Sequence, residues 1–191
     1  MSKLLRVTTV PVSLKVLLTG QMHYMKTNGF EVVMVSADGK EREDVVKNED
    51  CSHQIINIQK KINLGRDLLA LFQLIRIIYR EKPDIVHSHT PKAGLIAMLA
   101  SYICCVPVRM HTNSGTPLLT ATGFNRYLIY YFEKLSYLCA NNVYTNSSSL
   151  CSFLIENKLI DKGKIKVLGF GSSNGIDIIG TQIRQFFKIV D

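Results

Sequence analysis

The fold is decided by the stretch Lys82-Pro83-Asp84-Ile85-Val86-His87-Ser88-His89-Thr90-Pro91-Lys92-Ala93-Gly94. Pro83 ends the preceding helix, because the residue before a proline is pushed out of the helical region. A short buried strand is predicted over residues 84–87, and an apolar helix begins at about Lys92. Four polar residues therefore stand where a strand delivers its carboxyl end to a helix amino end: His87, His89, Thr90 and Lys92. Ligands bind at this edge of open α/β sheets, and helix amino ends favour anions.

Strands and helices alternate along the rest of the chain. We expect strands at residues 4–10, 30–36, 54–58, 106–112, 143–145 and 165–168. Helices are predicted from Ser13, as a candidate cap, to Asn28, and at residues 64–81, 92–103, 125–139 and 147–158, with a short exposed helix within 37–51. The strand at 30–36 is nearly all apolar, which is typical of a strand buried on both faces of a parallel sheet. The order predicts a Rossmann-like three-layer α/β/α domain with a mainly parallel sheet.

The helix at residues 64–81 has the clearest helical spacing. Its apolar positions are expected to pack on the sheet: Leu64, Leu68, Leu71, Phe72, Ile75, Ile78 and Tyr79. Its polar positions take the other side: Arg66, Gln73, Arg76 and Arg80. We favour a crossover helix; the alternative is a helix that lies on a membrane surface and turns its arginines toward acidic headgroups.

The charge of the chain favours anionic partners. The 191 residues carry a net charge of +8 with a pI of about 9.3, which suits phosphates, nucleotides, acidic lipids or nucleic acid. Nucleic acid is not expected, because no arginine-rich stripe or reader motif is present. The five cysteines show no paired C-x-x-C spacing, so we interpret them as packing residues in a reducing compartment. No apolar run is long enough to span a membrane.

The sequence contains no complete motif for binding a dinucleotide, a nucleotide phosphate or a metal ion. The loop at residues 169–175 resembles a dinucleotide fingerprint, but its third glycine is displaced and it follows the last strand. No Walker A loop is found. We expect no metal at His87 and His89, because their side chains are taken to project to opposite sides of the strand and no acidic residue lies nearby. The sequence therefore predicts no metal and no cofactor.

Two residues keep two interpretations each. His111, near the end of the strand at 106–112, is either a core histidine or a cleft residue. A second histidine-bearing strand end, followed likewise by Thr and a loop, favours the cleft. Lys92 opposes the dipole of the helix that it begins, so it either meets a phosphate or is a solvated lysine.

Four stretches, in this order, resemble glycosyltransferase family 4, especially bacterial enzymes of capsular and surface polysaccharide assembly: residues 6–15, 82–94, 112–123 and 171–177. The resemblance implies one half of a GT-B fold, in which two Rossmann-like domains enclose the active site. The amino-terminal domain of such enzymes mostly holds the acceptor, often a lipid-linked sugar, and the other domain holds the nucleotide-sugar donor. Transfer is retaining and needs no metal, because a helix dipole and basic side chains stabilise the departing diphosphate.

The resemblance also implies roles for individual residues. His111 would act nearest the reaction centre, as the catalytic candidate. Substrate-binding roles fall to residues at the strand ends and their loops: Ser13, Lys15, His89, Lys92, Thr112, Gly115 and Thr116. A hinge into the second domain would lie at Asn174, Gly175 and Asp177. Residues 1–177 would form the amino-terminal domain, and residues 178–191 a tail or the start of the crossover to a donor domain.

The expected function is therefore that of an acceptor-binding domain of a retaining glycosyltransferase, inactive alone. Its partners would be a donor-binding domain or chain, a lipid-linked glycan acceptor, and an anionic membrane surface; a homodimer is a further candidate. It would be cytoplasmic or peripheral on the inner face of a bacterial plasma membrane. The alternatives are a non-catalytic remnant or interaction module, and a GT-B nucleotide-sugar epimerase fragment. The epimerase would need carboxylates at the cleft edge, where the sequence shows none.

Overall fold

A computed structural model describes residues 1–59, 63–167 and 171. The strands are β1 (Lys3–Val7), β2 (Glu31–Ser36), β3 (Ser52–Ile55), β4 (Ile85–His89), β5 (Val108–Asn113), β6 (Asn142–Thr145) and β7 (Ile165–Val167). They form one sheet in the order β3-β2-β1-β4-β5-β6-β7, and every neighbouring pair is parallel. This confirms the predicted Rossmann-like parallel sheet.

Helices cover both faces of the sheet. They are α1 (Pro11–Leu17), α2 (Gln21–Thr27), α3 (Arg42–Glu49), α4 (Leu64–Glu81), α5 (Pro91–Ile103), α6 (Gly123–Cys139) and α7 (Ser148–Glu156). Side chains of α1, α2 and α3 enclose one core, and those of α4, α5, α6 and α7 enclose a second, larger one. Right-handed crossovers require this division, because the chain moves one way across the sheet up to β3 and the other way afterwards. The three layers are those predicted.

The predicted helix from Ser13 to Asn28 is two helices. α1 begins earlier, at Pro11, because proline is favoured at the first helical position, where its missing N–H is not needed. Ser13 therefore lies inside α1 and is not its cap. Gly20, with φ 76°, separates α1 from α2, a conformation that glycine adopts without strain. The first and last residues of β1 and β3 also differ from the prediction by a few positions.

α4 has the predicted bounds, but the prediction of which of its residues face the core is partly wrong. Its buried residues are Ala70, Leu74, Ile77 and Ile78. Four of the apolar residues expected to pack on the sheet are exposed instead: Leu64, Leu68, Phe72 and Tyr79. The helix is apolar on two sides, and spacing alone does not tell which side faces the sheet.

The strand register brings three loops to one edge. Val7 pairs with Ser88, and Ser88 pairs with His111, so the residues that follow β1, β4 and β5 emerge side by side. The chain reverses its direction across the sheet between β1 and β4. Such a switch point, outside the carboxyl ends of the strands, is where open α/β sheets bind ligands.

Candidate functional site

A cavity of about 410 Å³ opens at the switch point between β1 and β4. Thr9 and Val10 line it from the end of β1, and Thr90 and Lys92 from the end of β4. α4 contributes Asp67, α1 contributes Ser13, and α6 contributes Ile129, Phe132 and Glu133. A volume of this order lies within the range of small-molecule sites, which are mostly apolar with a few polar groups.

The two strand ends are joined at the cavity by Thr9 and Thr90, whose hydroxyl oxygens lie 2.8 Å apart. Thr90 has φ 107°, an unusual conformation for a β-branched residue. Backbone strain of this kind costs on the order of 1–3 kcal/mol and clusters at ligand sites. The hydrogen bond links the end of β1 to Thr90, the N-cap residue at the start of α5.

Lys92 forms an ion pair with Asp67 across the cavity wall, with 2.7 Å between Nζ and Oδ1. Asp67 is held by the start of α4, where the backbone N–H of Asn63 donates to Oδ2 at 3.1 Å. Only 14% of the Lys92 side chain is exposed, so the solvated-lysine interpretation is wrong. A phosphate at Lys92 would have to share the ammonium with Asp67.

Glu133 is the feature of this cavity that the sequence analysis missed. Thr116 Oγ1 donates to Glu133 Oε1 at 2.6 Å, and Tyr137 OH donates to Oε2 at 3.0 Å. Burial raises the pKa of the carboxyl, and the two hydrogen bonds oppose that shift. Glu133 is the one acidic residue in the sequence of α6, and Tyr137 follows it at i+4, a signal that could have identified it. The expectation that no carboxylate lies at this edge was therefore wrong.

His111, the catalytic candidate, lies in the core and not on the cavity wall. It is 2% exposed, and its Nδ1 lies 2.8 Å from Ser88 Oγ. α5 passes directly over the imidazole at Gly94. Burial lowers the pKa of His111 to about 4, so the ring is neutral at neutral pH. The catalytic role stays a prediction, whereas the geometry gives the residue a packing role.

His89 and Thr112 belong to a buried cluster around Arg6, away from the cavity. Arg6 Nη1 lies 2.7 Å from His87 Nδ1 and 2.6 Å from His89 Nε2, and His87 Nε2 lies 2.8 Å from Thr112 Oγ1. The prediction that the two histidines project to opposite sides was wrong, because residues two apart share a strand face; their ring centroids are 4.1 Å apart. Burial and the neighbouring charges lower both histidine pKa values well below the usual range.

The other predicted site residues are dispersed. Lys15 is exposed on α1 and pairs with Asp44 of α3 at 2.7 Å. The backbone N–H of Gly115 donates to Asn113 Oδ1 at 2.8 Å, and Gly115 is exposed outside the cavity. Thr116 reaches the site only through Glu133. Of the predicted substrate-binding residues, Ser13 and Lys92 line the cavity.

The predicted hinge, at Asn174, Gly175 and Asp177, is not among the residues that the structure describes. Within residues 1–59, 63–167 and 171, no group of three His, Cys, Asp or Glu side chains is placed to hold a metal ion. No helix in the same ranges is both long and apolar enough to cross a membrane.

Comparison with known proteins identifies the family. The family model Glycosyltransferase Family 4 matches residues 17–178. A capsular polysaccharide biosynthesis glycosyltransferase, CapM from Staphylococcus aureus, is 38% identical over 91% of this chain and 45% of its own length. The UDP-Gal:alpha-D-GlcNAc-diphosphoundecaprenol alpha-1,3-galactosyltransferase of Escherichia coli is 23% identical over 78% of this chain and 38% of its own length.

Solved structures agree on the fold. A glycosyltransferase from Rickettsia africae superposes with a TM-score of 0.64 at 19% identity, covering 98% of this chain and 50% of that one. UDP-N-acetylglucosamine 2-epimerases share the fold at similarly low identity, which shows the architecture alone. The chain spans about half the length of the curated relatives it matches. The family match and the identity to CapM together show that the chain belongs to glycosyltransferase family 4.

Proposed function

We propose that the chain is the acceptor-binding domain of a retaining glycosyltransferase of surface polysaccharide assembly. It would position a lipid-linked glycan to receive a sugar from a nucleotide-sugar donor. The observation that carries the proposal is the cavity at the β1–β4 switch point, lined by Ser13, Lys92 and Glu133. Family membership indicates the class of reaction. The name of one relative refers to capsular polysaccharide biosynthesis, and the name of another refers to a diphosphoundecaprenol-linked acceptor.

The cavity suits the sugar-bearing end of such an acceptor. Leu95, Ile129 and Phe132 give it apolar walls, while Glu133 and the Lys92–Asp67 pair add charge at separate points. Apolar walls with a few fixed polar groups orient a small ligand. The donor would be held by a second domain, joined through a hinge at Asn174, Gly175 and Asp177. Residues 1–177 alone would therefore not catalyse sugar transfer.

A membrane surface is the proposed site of this encounter. α4 exposes Leu68, Phe72 and Tyr79, and α6 exposes Tyr127 and Tyr131. We call these the outer face of α4 and α6. Its exposed basic neighbours on α4 are Arg66, Arg76 and Arg80. Apolar residues flanked by arginine favour an anionic interface, so we propose a peripheral, cytoplasmic location on the plasma membrane.

An epimerase fragment is the second candidate, since Asp67 and Glu133 place two carboxylates at the cavity. Asp67 is paired with Lys92, however, and both oxygens of Glu133 accept hydroxyl hydrogen bonds. Asp67 is thus held as an ion-pair partner and Glu133 as an acceptor of two hydrogen bonds. This arrangement favours binding over proton transfer.

A binding titration tests the proposal. The chain is titrated with a short-chain polyprenyl diphosphate sugar and, separately, with a UDP-N-acetylhexosamine. We expect the first to bind, the second not to bind, and Ser13→Tyr, which fills the cavity, to weaken the first by at least about tenfold. The matched control is Ser152→Tyr, on the exposed side of α7. Binding of neither ligand at millimolar concentration would leave the remnant alternative; tight binding of the nucleotide sugar would favour the epimerase.

A further inference from the structure

The hydrogen bonds around Glu133 form two short chains that both end on its carboxyl group. Thr116 Oγ1 accepts the backbone N–H of Leu118 at 3.1 Å. Tyr137 OH accepts the Asn113 side-chain N–H at 2.6 Å. Each hydroxyl therefore receives one donor and gives its own proton to a Glu133 oxygen, Thr116 to Oε1 and Tyr137 to Oε2.

The carboxyl of Glu133 is therefore an acceptor at both oxygens. Each carboxylate oxygen has two lone-pair positions, and one on each is taken by Thr116 or Tyr137. The ion pairs formed within the described residues do not include Glu133. Burial of a carboxylate is costly unless hydrogen bonds or an opposite charge compensate it, so further donors from a ligand would stabilise Glu133.

We propose that the Glu133 carboxylate binds hydroxyl groups of the acceptor sugar through its remaining lone pairs on the cavity wall. The inference rests on the proposed function and adds the chemistry of one subsite. Charge-assisted hydrogen bonds to a carboxylate are stronger than neutral ones. A group held by Thr116 and Tyr137 needs no reorganisation when the ligand arrives. Repulsion between like charges keeps the diphosphate of the acceptor away from this wall.

This proposal differs from a purely structural role in one measurable respect. If Glu133 had only a structural role, it would hold the turn at Thr116 against α6. Removing its carboxylate would then weaken the binding of every ligand of the cavity to the same extent. A hydroxyl-binding Glu133 affects only ligands that carry the sugar. Two probes separate the roles: a short-chain polyprenyl diphosphate that carries N-acetylglucosamine, and the same polyprenyl diphosphate with a methyl ester in place of the sugar, so that both are diphosphate diesters of equal charge.

The experiment measures the ratio of the two affinities for the wild-type chain and for Glu133→Gln. We expect the wild type to bind the sugar-bearing probe at least about tenfold more tightly, which is the effect of a hydrogen bond to a charged group. Glu133→Gln should bring the ratio close to one while changing the affinity for the sugar-free probe less than about twofold. Glu156→Gln, an exposed substitution on α7, should leave both affinities unchanged.

A pH series on the wild type covers the case in which Glu133→Gln does not fold. The ratio should fall on acidification, because protonation removes the charge of Glu133, whereas the titration of the diphosphate cancels between the probes. Tyr137 and Thr116 contact Glu133 directly, and the other charged groups of the cavity, Asp67 and Lys92, form an ion pair that both probes meet alike.

The outcomes distinguish the two proposals. A folded Glu133→Gln that keeps the wild-type ratio, or that weakens both probes equally, overturns the role of Glu133 and leaves the proposed function standing. A wild-type ratio that does not change with pH overturns it as well. If the wild type binds neither probe, the proposed function fails and the subsite fails with it.

Discussion

Gly94 and His111 meet where α5 crosses β5, and the contact leaves no room for a methyl group. A Cβ added at Gly94 would stand 2.8 Å from His111 Nδ1 and 3.0 Å from Nε2. The imidazole does not turn away easily, because its Nδ1 is hydrogen-bonded to Ser88. Close helix–sheet packing thus depends on this glycine, and the histidine acts as part of the core.

Gly94→Ala should therefore destabilise the domain. We expect the free energy of unfolding to fall by about 1–3 kcal/mol, the usual effect of overpacking a core, in urea denaturation. Gly65→Ala on α4 is the matched control, because the nearest atom to its Cβ would be 3.7 Å away. It should be neutral or stabilising by up to about 1 kcal/mol. Equal effects of the two substitutions would contradict the close contact.

The pKa of His111 makes a second prediction at the residue scale. Burial lowers this pKa to about 4, against about 6.5 in an unfolded chain. Between these values the unfolded state binds more protons, so stability that is present above pH 6.5 is lost as the pH falls toward 4. From pH 7 to pH 5 the loss from His111 should be about 2 kcal/mol.

Urea unfolding of the wild type and of His111→Gln at the two pH values measures this loss. Other buried histidines, such as His87 and His89, titrate in both proteins and cancel in the comparison. The pH dependence of the variant should be smaller by the amount that His111 contributes. An identical pH dependence in the two proteins would show that His111 is not held neutral by burial.

At the scale of the element, α4 shows why the site was only partly foreseen. Its bounds follow from the spacing of its apolar residues, and Asn63 caps it by accepting the Arg66 N–H at 3.1 Å. Its orientation does not follow, because apolar side chains occupy two of its sides and only packing against the sheet and α5 selects one. Asp67 reaches the cavity through such an orientation, so its role could not be predicted from spacing.

The outer face of α4 and α6 should bind anionic vesicles. We expect Phe72→Glu, and separately Tyr131→Glu, to weaken association with vesicles rich in acidic phospholipid by at least about tenfold, because a charge replaces an apolar side chain at the interface. Val16→Glu on α1 is the matched control: Val16 is 64% exposed and Phe72 60%, but Val16 lies in the other helical layer. Vesicle sedimentation measures the binding. Equal losses at all three positions would contradict a membrane-facing layer.

At the scale of the whole molecule, the alternation of strands and helices predicted the parallel sheet and its three layers. It also predicted that polar residues after β4 lie at a ligand-binding edge. It did not predict which of them face the cavity. Ser13 and Lys92 line it, whereas His89 turns to Arg6 and His111 lies beneath Gly94. The side on which a polar residue leaves a strand depends on where that strand ends, and a shift of one residue reverses it.

The most direct test of the central claim is hydrogen–deuterium exchange of the chain with and without a short-chain polyprenyl diphosphate sugar. If the switch-point cavity holds the acceptor, backbone amides of residues 8–13, 90–95 and 116–119 should exchange more slowly with the ligand, while those of α3 stay unchanged. A UDP-N-acetylhexosamine at the same concentration should protect none of these segments. Protection confined to other segments, or produced by the nucleotide sugar instead, would contradict an acceptor-binding domain.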